Sequence, residues 1–217
     1  MGVPAHFLEQ FEASLRTKQK NEQPIIAAAN KYIELGLSAI PCNDNKKSCG
    51  TWKRFQSEIA KQAEVCFLFH GATHLGIVCG QVSGGLEVID VDAKNDPSDT
   101  LIQKLKSRLN AELPELLNRI VVQYTQNNGV HLIYRIDGKV EGNQKLAKRP
   151  ALSSEKSAQC LIETRGEGGY IIAAPSEGYS LAQNDFDQIP TITKAERDKI
   201  FEICRSFDEM TAEPQLP

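Results

Sequence analysis

Apolar residues recur at helical spacing in five segments of the chain, and each segment is predicted to form an amphipathic helix. The clearest of them is PIIAAANKYIELGL, where Pro24 occupies the first turn and Gly36 follows the last one, as is typical of helix ends. TLIQKLKSRLNAEL has the same periodicity and ends before Pro114. The other predicted helices cover residues 5–20, 57–69 and 193–207.

Short apolar runs rich in β-branched residues lie between these helices and predict strands. LSAIPC is predicted to be a single strand. Three strand pairs are predicted, namely LGIVCG with LEVIDVD, IVVQYT with VHLIYRI, and CLIETRG with GYIIAAP. Residues 139–159 are predicted to form a polar excursion between the second and third pairs. This order predicts an α+β (mixed α/β) domain on an antiparallel or mixed sheet rather than a doubly wound parallel one.

The composition is that of an ordinary globular domain. With 217 residues, 41% of them hydrophobic and 24% charged, the chain can form a substantial core without disulfide or metal support. The formal net charge of -3 does not exclude nucleic-acid binding, because acidic residues can cluster in one site and lysines in another. No apolar run approaches the ~20 residues of a membrane span, and the first residues lack the apolar stretch of a secretory signal. We therefore expect a cytoplasmic protein with no membrane partner.

The cysteine pattern and two missing motifs narrow the function further. The six cysteines are irregularly spaced with no CxxC pair, which favours reduced thiols over a disulfide framework. A zinc site on Cys42 and Cys49 would have an unusually long ligand spacing and no second ligand pair. The chain contains neither GxxxxGKS/T nor GxGxxG after a first strand, so Walker-type ATPases and Rossmann enzymes are not expected.

The first candidate chemistry is carried by Asp90 and Asp92 in LEVIDVD. Alternate side chains of a strand share a face, so these two carboxylates project the same way with α-carbons roughly 6.5 to 7 Å apart. Such a pair suits Mg²⁺, a hard cation that takes oxygen ligands and completes its shell with water and substrate phosphates. The alternative is that both aspartates are solvated residues at a strand end.

Two later motifs add groups that suit the same chemistry. Glu163 ends an apolar run and is followed by Arg165 in a glycine-rich segment, where the backbone and a planar guanidinium could approach phosphate. His131 follows the turn QNNG, which contains Asn128 and Gly129 and whose amides could bind an anion. Taken alone, each motif also fits a solvated hairpin or a packed histidine.

Taken together, GIVCGQVSGGLEVIDVD, TQNNGVHLIYR and IETRGEGGYIIAAPS resemble the signatures of the N-terminal domain of bifunctional primase-polymerases, in the archaeo-eukaryotic primase superfamily. The order and spacing match over roughly residues 24–180. The resemblance implies a primase-like fold with an RRM-like antiparallel or mixed sheet core and an N-terminal α/β unit. Two features depart from the usual pattern. The turn has Asn127, Asn128 and Gly129 in place of serine-glycine-glycine, and the third acid is Glu163 where aspartate is common.

The resemblance implies template-directed nucleotidyl transfer by a two-metal mechanism. Primers would be synthesised on single-stranded DNA, and extension of these primers is a candidate second activity. Asp90, Asp92 and Glu163 would hold two Mg²⁺ or Mn²⁺ ions, and His131 would complete the catalytic set. The expected contacts to the NTP or dNTP are Arg165, Asn128, Gly129, Thr125 and Lys53.

The resemblance also divides the chain and indicates its partners. Residues 1–23 would form a peripheral helix and connector, residues 24–192 the catalytic domain, and residues 193–217 a C-terminal helix with a tail or linker. Beyond the DNA template and the nucleotides, a helicase domain or protein is a candidate partner, and replication of mobile elements is the expected setting. The candidate template or triphosphate contacts in the basic loop are Lys46, Lys47, Lys53 and Arg54.

Two other functional classes stay open. A metal-dependent nuclease or replication initiator is expected to have an HxH pair and a nucleophilic tyrosine, and no two histidines in this chain are separated by one residue. A non-catalytic single-stranded nucleic-acid-binding module would stack bases on aromatic side chains, yet only 6% of the residues are aromatic. Metal-dependent primer synthesis separates the three classes.

Overall fold

A computed structural model describes residues 23–210 of the protein. The helix predicted at residues 5–20 and the tail at residues 211–217 lie outside this range. Within it, the chain forms ten strands and five helices around two sheets. No helix in the same range combines the length and the apolar character that a membrane crossing requires.

The elements follow one another along the chain with these bounds. The helices are α1 at residues 23–34, α2 at Gln62–Leu68, α3 at Leu101–Glu112, α4 at Pro114–Arg119 and α5 at Lys194–Arg205. The strands are β1 at Ser38–Cys42, β2 at His74–Val78, β3 at Leu86–Val91, β4 at Val121–Tyr124, β5 at Val130–Ile136, β6 at Lys145–Arg149, β7 at Gln159–Arg165, β8 at Tyr170–Ala173, β9 at Ser180–Gln183 and β10 at Thr191–Ile192.

The strands form two sheets that share no strand. The smaller sheet has the order β1-β2-β8, and both of its pairs are antiparallel. The larger sheet has the antiparallel order β6-β7-β3-β5-β4-β9, and β10 adds a short parallel pair to β5. The predicted α+β fold on antiparallel and mixed sheets is therefore confirmed.

Strand β3 lies in the middle of the larger sheet, and both of its faces are buried. Leu86 and Val88 pack towards the smaller sheet and α1, whereas Ile89 and Val91 pack against α3 and α5. A strand covered on both faces is expected to be almost continuously apolar. Asp90 interrupts this pattern on the face that it shares with Leu86 and Val88, which is the face turned to the smaller sheet.

Two of the three predicted strand pairs are wrong. The first of these pairs contains β2 (LGIVCG), which belongs to the smaller sheet, and β3 (LEVIDVD), which belongs to the larger sheet. The second contains β7 (CLIETRG), which belongs to the larger sheet, and β8 (GYIIAAP), which belongs to the smaller sheet. Instead, β2 pairs with β8 and β3 pairs with β7. At the first crossing the φ angles of Gly80, Gly84 and Gly85 are 97°, 71° and 79°, and a Cβ on Gly85 would overlap the carbonyl of Ile136. Glycine therefore allows the chain to leave one sheet and enter the other in a few residues.

The remaining strand pair and most of the predicted helices are confirmed. In the β4–β5 hairpin Tyr124 lies opposite Val130, and α1, α3 and α5 occupy the predicted segments. The helix predicted at residues 57–69 is shorter, because the backbone of Lys61 is extended and its N–H donates to the Glu64 carboxylate at 3.1 Å, which starts α2 one residue later. The predicted polar excursion contains β6, which pairs with β7.

Asp96 anchors the start of α3 and the turn that follows Asp92. Its carboxylate accepts hydrogen bonds from the N–H groups of Thr100 and Leu101, both at 2.8 Å, and from Ser98. Burial raises the pKa of this carboxyl, but the hydrogen bonds outweigh burial and lower the pKa to about 2. Because the pKa is depressed in the folded state, the stabilisation is present above the ordinary value of 3.8 and is lost as the pH falls towards about 2.

We expect Asp96→Ala to lower the free energy of unfolding by about 1–2 kcal/mol at neutral pH, as the loss of other helix-capping side chains does. The difference from the wild type should shrink as the pH falls below about 4, which urea unfolding at several pH values measures. The exposed Asp137 provides a matched control, since Asp137→Ala should change stability by less than about 0.5 kcal/mol. A difference that stays constant with pH would contradict the role of Asp96.

Candidate functional site

Asp90, His131 and Glu163 lie side by side across the larger sheet. Asp90 on β3 is directly opposite His131 on β5 and directly opposite Glu163 on β7. Opposed residues of neighbouring antiparallel strands project from the same face of the sheet. The row continues to Lys145 beside Glu163 and to Gln123 beside His131. Side chains from five strands therefore meet on the face turned to the smaller sheet.

Asp92 lies just beyond the end of β3, where it precedes a 3₁₀ turn at Ala93–Asn95. Its N–H donates to the carbonyl of Leu161 at 2.9 Å, and its carboxylate forms an ion pair with Lys94 at 3.3 Å. Asp90 and Asp92 line the same cleft. The two carboxylates thus face one space, as the alternation of the strand predicts.

The guanidinium of Arg165 bridges Asp90 and Glu163. It donates to Asp90 Oδ2 from Nε at 3.2 Å and from Nη2 at 3.1 Å, and it donates from Nη2 to Glu163 Oε1 at 2.5 Å. His131 Nε2 lies 3.5 Å from the other carboxylate oxygen of Asp90. Asp90 is therefore held between a guanidinium and an imidazole, and the same guanidinium restrains Glu163.

Burial and these contacts give the two acids different proton affinities. Burial alone would raise the pKa of Asp90, but the hydrogen bond with His131 and the charge and hydrogen bonds of Arg165 outweigh it and lower the pKa to about 2. Burial raises the pKa of Glu163, and repulsion from Asp90 and Asp92 adds to this effect against the attraction of Arg165. The row consequently contains a firmly ionised aspartate beside a glutamate that binds a proton more readily than usual.

A cleft of about 310 Å³ opens between this face of the larger sheet and strand β8 of the smaller one. Acidic, basic and aromatic side chains all contribute to its walls, which suits a charged ligand with an apolar part. Its polar lining residues are Lys46, Asp90, Asp92, Lys94, Thr125, Asn127, His131 and Arg165, and its aromatic ones are Tyr170 and Tyr179.

Thr125, Asn128 and Gly129 belong to the tight turn between β4 and β5. The Thr125 N–H donates to the Gly129 carbonyl at 3.0 Å, and the Asn128 N–H donates to the Thr125 carbonyl at 3.1 Å. Asn128 has a φ of 60°, and a Cβ on Gly129 would overlap the carbonyl of Val91. The backbone amide of Asn128 is therefore engaged within the turn, whereas Thr125 lines the cleft. The nucleotide contacts predicted for these residues stay predictions.

The basic loop contributes Lys46 to the cleft rather than Lys53. The ammonium of Lys46 lies 5.5 Å from the centre of the Tyr179 ring. Lys53 is exposed on a 3₁₀ turn and does not line the cleft, and Arg54 forms an ion pair with Glu64 at 3.3 Å. The basic loop thus reaches the cleft through Lys46, one of its four candidate basic residues.

Several residues of the site were not singled out by sequence patterns. Gln123 is fully buried on β4 and hydrogen bonds to His131, and Tyr179 lines the cleft. Burial, together with the charges of Asp90 and Asp92, raises the pKa of Tyr179 to about 12. The available signal for Gln123 is a polar residue inside the apolar strand VVQY, whereas no local pattern connects Tyr179 with the distant acids.

The donor set suits a divalent cation in its chemistry, because Mg²⁺ and Mn²⁺ prefer carboxylate oxygens. As residues 23–210 are arranged, no three His, Cys, Asp or Glu side chains share a ligand geometry. Arg165 occupies the space between Asp90 and Glu163, and its guanidinium already supplies positive charge to both. Asp90 and Asp92 line one cleft and have the oxygen ligands that such a cation prefers, whereas Asp90 Oδ2 and Glu163 Oε1 accept hydrogen bonds from Arg165.

Comparison with known protein families identifies a family for the sequence that carries this site. Residues 29–192 match the sequence model of the family described as bifunctional DNA primase/polymerase, N-terminal. The matched range contains β3, β5 and β7 and thus Asp90, His131 and Glu163. Comparison with curated proteins gives no match.

Proposed function

The chain belongs to the family of bifunctional DNA primase/polymerase N-terminal domains, and on that premise we propose that it joins nucleotides on a single-stranded DNA template. In this proposal it synthesises primers from NTP or dNTP and extends them. The reaction is a nucleotidyl transfer in which the 3′-hydroxyl of the growing strand attacks the α-phosphate and pyrophosphate leaves.

The observation that carries the proposal is the row of Asp90, His131 and Glu163, in which Asp90 and His131 line a cleft that Asp92 also lines. A nucleoside triphosphate bears several negative charges, so a site for it has to offer cations and donors beside the acids. Arg165, His131 and Lys46 supply them within the same space. The cleft therefore combines acidic groups with the positive charge that a triphosphate requires.

Asp90, Asp92 and Glu163 are the proposed ligands of two Mg²⁺ or Mn²⁺ ions. When bound, such ions lower the pKa of an attacking hydroxyl and neutralise charge on the phosphates. Ionised Asp90 is ready to accept a cation at neutral pH because its pKa is about 2. Oε1 of Glu163 becomes fully available to a cation when Arg165 gives up its hydrogen bond to that oxygen.

Arg165 and His131 are the proposed phosphate-binding side chains. The planar guanidinium of Arg165, which donates to the carboxylates of Asp90 and Glu163, can donate two parallel hydrogen bonds to a phosphate. His131 lies beside Asp90 at the cleft, where its Nε2 can donate. Thr125 offers a hydroxyl at the rim of the cleft. Lys53 is assigned to the template instead, because it is exposed outside the cleft.

The wider setting of this activity rests on the family alone. Membership implies DNA and nucleotides as substrates. We propose in addition a helicase domain or protein as a partner, a cytoplasmic location and a role in the replication of mobile elements. The division of the chain into a catalytic domain at residues 24–192 with flanking segments is likewise a proposal.

The test is incorporation of labelled NTP and dNTP on single-stranded templates, with and without an annealed primer, in Mg²⁺, in Mn²⁺ and with a chelator. We expect template-dependent products that disappear when the metal is chelated. Shortened template in the presence of metal would instead indicate a nuclease, and retention of DNA without any product would indicate a binding module. Either of these results would contradict the proposal.

Glu163→Gln should reduce incorporation at least about 100-fold, nearly as severely as replacement of Asp90. Glutamine keeps the acceptor oxygen that Arg165 contacts and removes only the negative charge, so the loss reports on the charge itself. Single-turnover incorporation over a range of metal concentrations measures the effect. The matched control is Glu167→Gln in the same segment, because Glu167 is exposed and accepts only a backbone hydrogen bond that glutamine can also accept. Normal rates for Glu163→Gln at all metal concentrations would remove Glu163 from the site.

A further inference from the structure

Gln123 is a fully buried polar residue directly opposite His131. It lies on β4, and its neighbours in the strand are apolar apart from Tyr124 at the end. A buried amide is stable only when its donors and its acceptor are satisfied. The partners of Gln123 are therefore informative about what it does.

The backbone of the β8 end fixes the orientation of the Gln123 amide. Oε1 accepts a hydrogen bond from the N–H of Ala174 at 2.7 Å, and Nε2 donates to the carbonyl of Ile172 at 2.9 Å. Rotating the amide by half a turn would place two donors against each other at Ala174 and two acceptors against each other at Ile172. Only one orientation of the amide satisfies both backbone groups.

This orientation determines which ring nitrogen of His131 carries the hydrogen. The second hydrogen of Gln123 Nε2 is directed to His131 Nδ1, at 2.9 Å. Because an amide nitrogen donates and does not accept, Nδ1 must be the acceptor, and the hydrogen of the neutral ring is on Nε2. That nitrogen lies 3.5 Å from Asp90 Oδ1, on the side of the cleft.

We propose that Gln123 is a positioning residue that fixes His131 in the Nε2–H form, so that the ring presents a donor to the cleft. With the hydrogen on Nδ1, the ring would turn a lone pair towards Asp90 and towards any phosphate oxygen beside it. The backbone of β8 in the smaller sheet thus determines, through Gln123, which ring nitrogen of His131 in the larger sheet is the hydrogen-bond donor. The effect on nucleotide binding rests on the proposed function, whereas the form of the ring does not.

The direct test is ¹⁵N NMR of the histidine side chains, which distinguishes a ring with its hydrogen on Nε2 from one with its hydrogen on Nδ1. His131→Asn assigns the His131 signals by their disappearance. We expect the wild-type ring to carry its hydrogen on Nε2. We expect Gln123→Glu to move it to Nδ1, since a carboxylate at that place can only accept, and Gln123→Met to give a mixture. Finding the hydrogen on Nδ1 in the wild type would overturn the proposal, whatever the Gln123 variants show.

Kinetics then measure the consequence for the reaction. Gln123→Met and Gln123→Glu should weaken nucleotide affinity by about 10-fold to 100-fold, the range for a hydrogen bond to a charged group, with the glutamate the more severe. In a His131→Asn background the Gln123→Met change should have no further effect on nucleotide affinity. A matched control is Gln183→Met, since Gln183 also donates to two backbone carbonyls, those of Leu117 and Ile120, but lies away from the cleft.

The outcomes separate this inference from the proposed function. A protein with the Nε2–H ring but no primer synthesis would contradict the proposed function and leave the role of Gln123 in fixing the ring intact. Equal losses for Gln123→Met and Gln183→Met would mean that Gln123 acts only through general stability. A Gln123→Met effect that persists unchanged in the His131→Asn background would likewise overturn the proposal.

Discussion

Asp90→Asn should abolish metal-dependent nucleotide incorporation, with a loss of about a thousandfold or more. Asp90 is the central residue of the site, because it lies opposite both His131 and Glu163 and accepts two hydrogen bonds from Arg165. Asparagine has nearly the same shape but carries no charge, so it removes the attraction for both a cation and the guanidinium. Incorporation of labelled nucleotide on a primed template, followed under single-turnover conditions, measures the loss.

Binding of single-stranded DNA by Asp90→Asn should remain close to that of the wild type, because template affinity depends mainly on contacts to the DNA backbone. Fluorescence anisotropy with a labelled oligonucleotide checks this. Asp137→Asn is the control for incorporation, since Asp137 is an exposed aspartate away from the cleft. Undiminished synthesis by Asp90→Asn would refute the assignment of the site, and equal losses for the two variants would mean that the effect is not specific.

Arg197→Met should destabilise the fold by about 3–5 kcal/mol, because it leaves a fully buried carboxylate without its partner. Glu87 on β3 has no exposed surface, and Arg197 on α5 donates to its two oxygens at 2.6 and 2.8 Å. Tyr134 donates to the same carboxylate at 2.9 Å. This cluster attaches α5 to the sheet face opposite the cleft, so its loss should lower the urea midpoint strongly.

The double variant Glu87→Met with Arg197→Met should be more stable than Arg197→Met alone, since no unpaired charge is then buried. A matched control is Arg119→Met, which breaks a surface ion pair between Arg119 on α4 and Glu196 on α5. That change should cost less than about 1 kcal/mol. If Arg119→Met and Arg197→Met proved equally destabilising, the buried pair would not be what holds α5 in place.

Local patterns were sufficient for the parts of the fold that depend on neighbouring residues. The spacing of apolar residues predicted α1, α3 and α5, and Pro24 and Gly36 marked the ends of α1, because these signals act within one or two turns. The turn QNNG predicted the β4–β5 hairpin for the same reason. Alternation along β3 likewise predicted that Asp90 and Asp92 face one side, where both line the cleft.

The site as a whole was predicted only through the family signatures, and several of its contacts were not predicted at all. Arg165 is 75 positions from Asp90 in the chain, and its bridge between Asp90 and Glu163 depends on β7 pairing with β3. Gln123 acquires its role only because β8 passes beside β4 and supplies backbone partners. Lys46, rather than Lys53, lines the cleft because of the path of the basic loop.

The tertiary structure, and not the local sequence pattern, determines which strands pair. A short apolar strand has the same pattern whether its partner follows directly or lies far along the chain, so β2–β3 and β7–β8 both resembled hairpins. The alternative pairing covers both faces of β3, with the smaller sheet and α1 on one side and α3 and α5 on the other. Local sequence motifs therefore identified the residues of the site. These residues come together because the fold buries both faces of β3 at once.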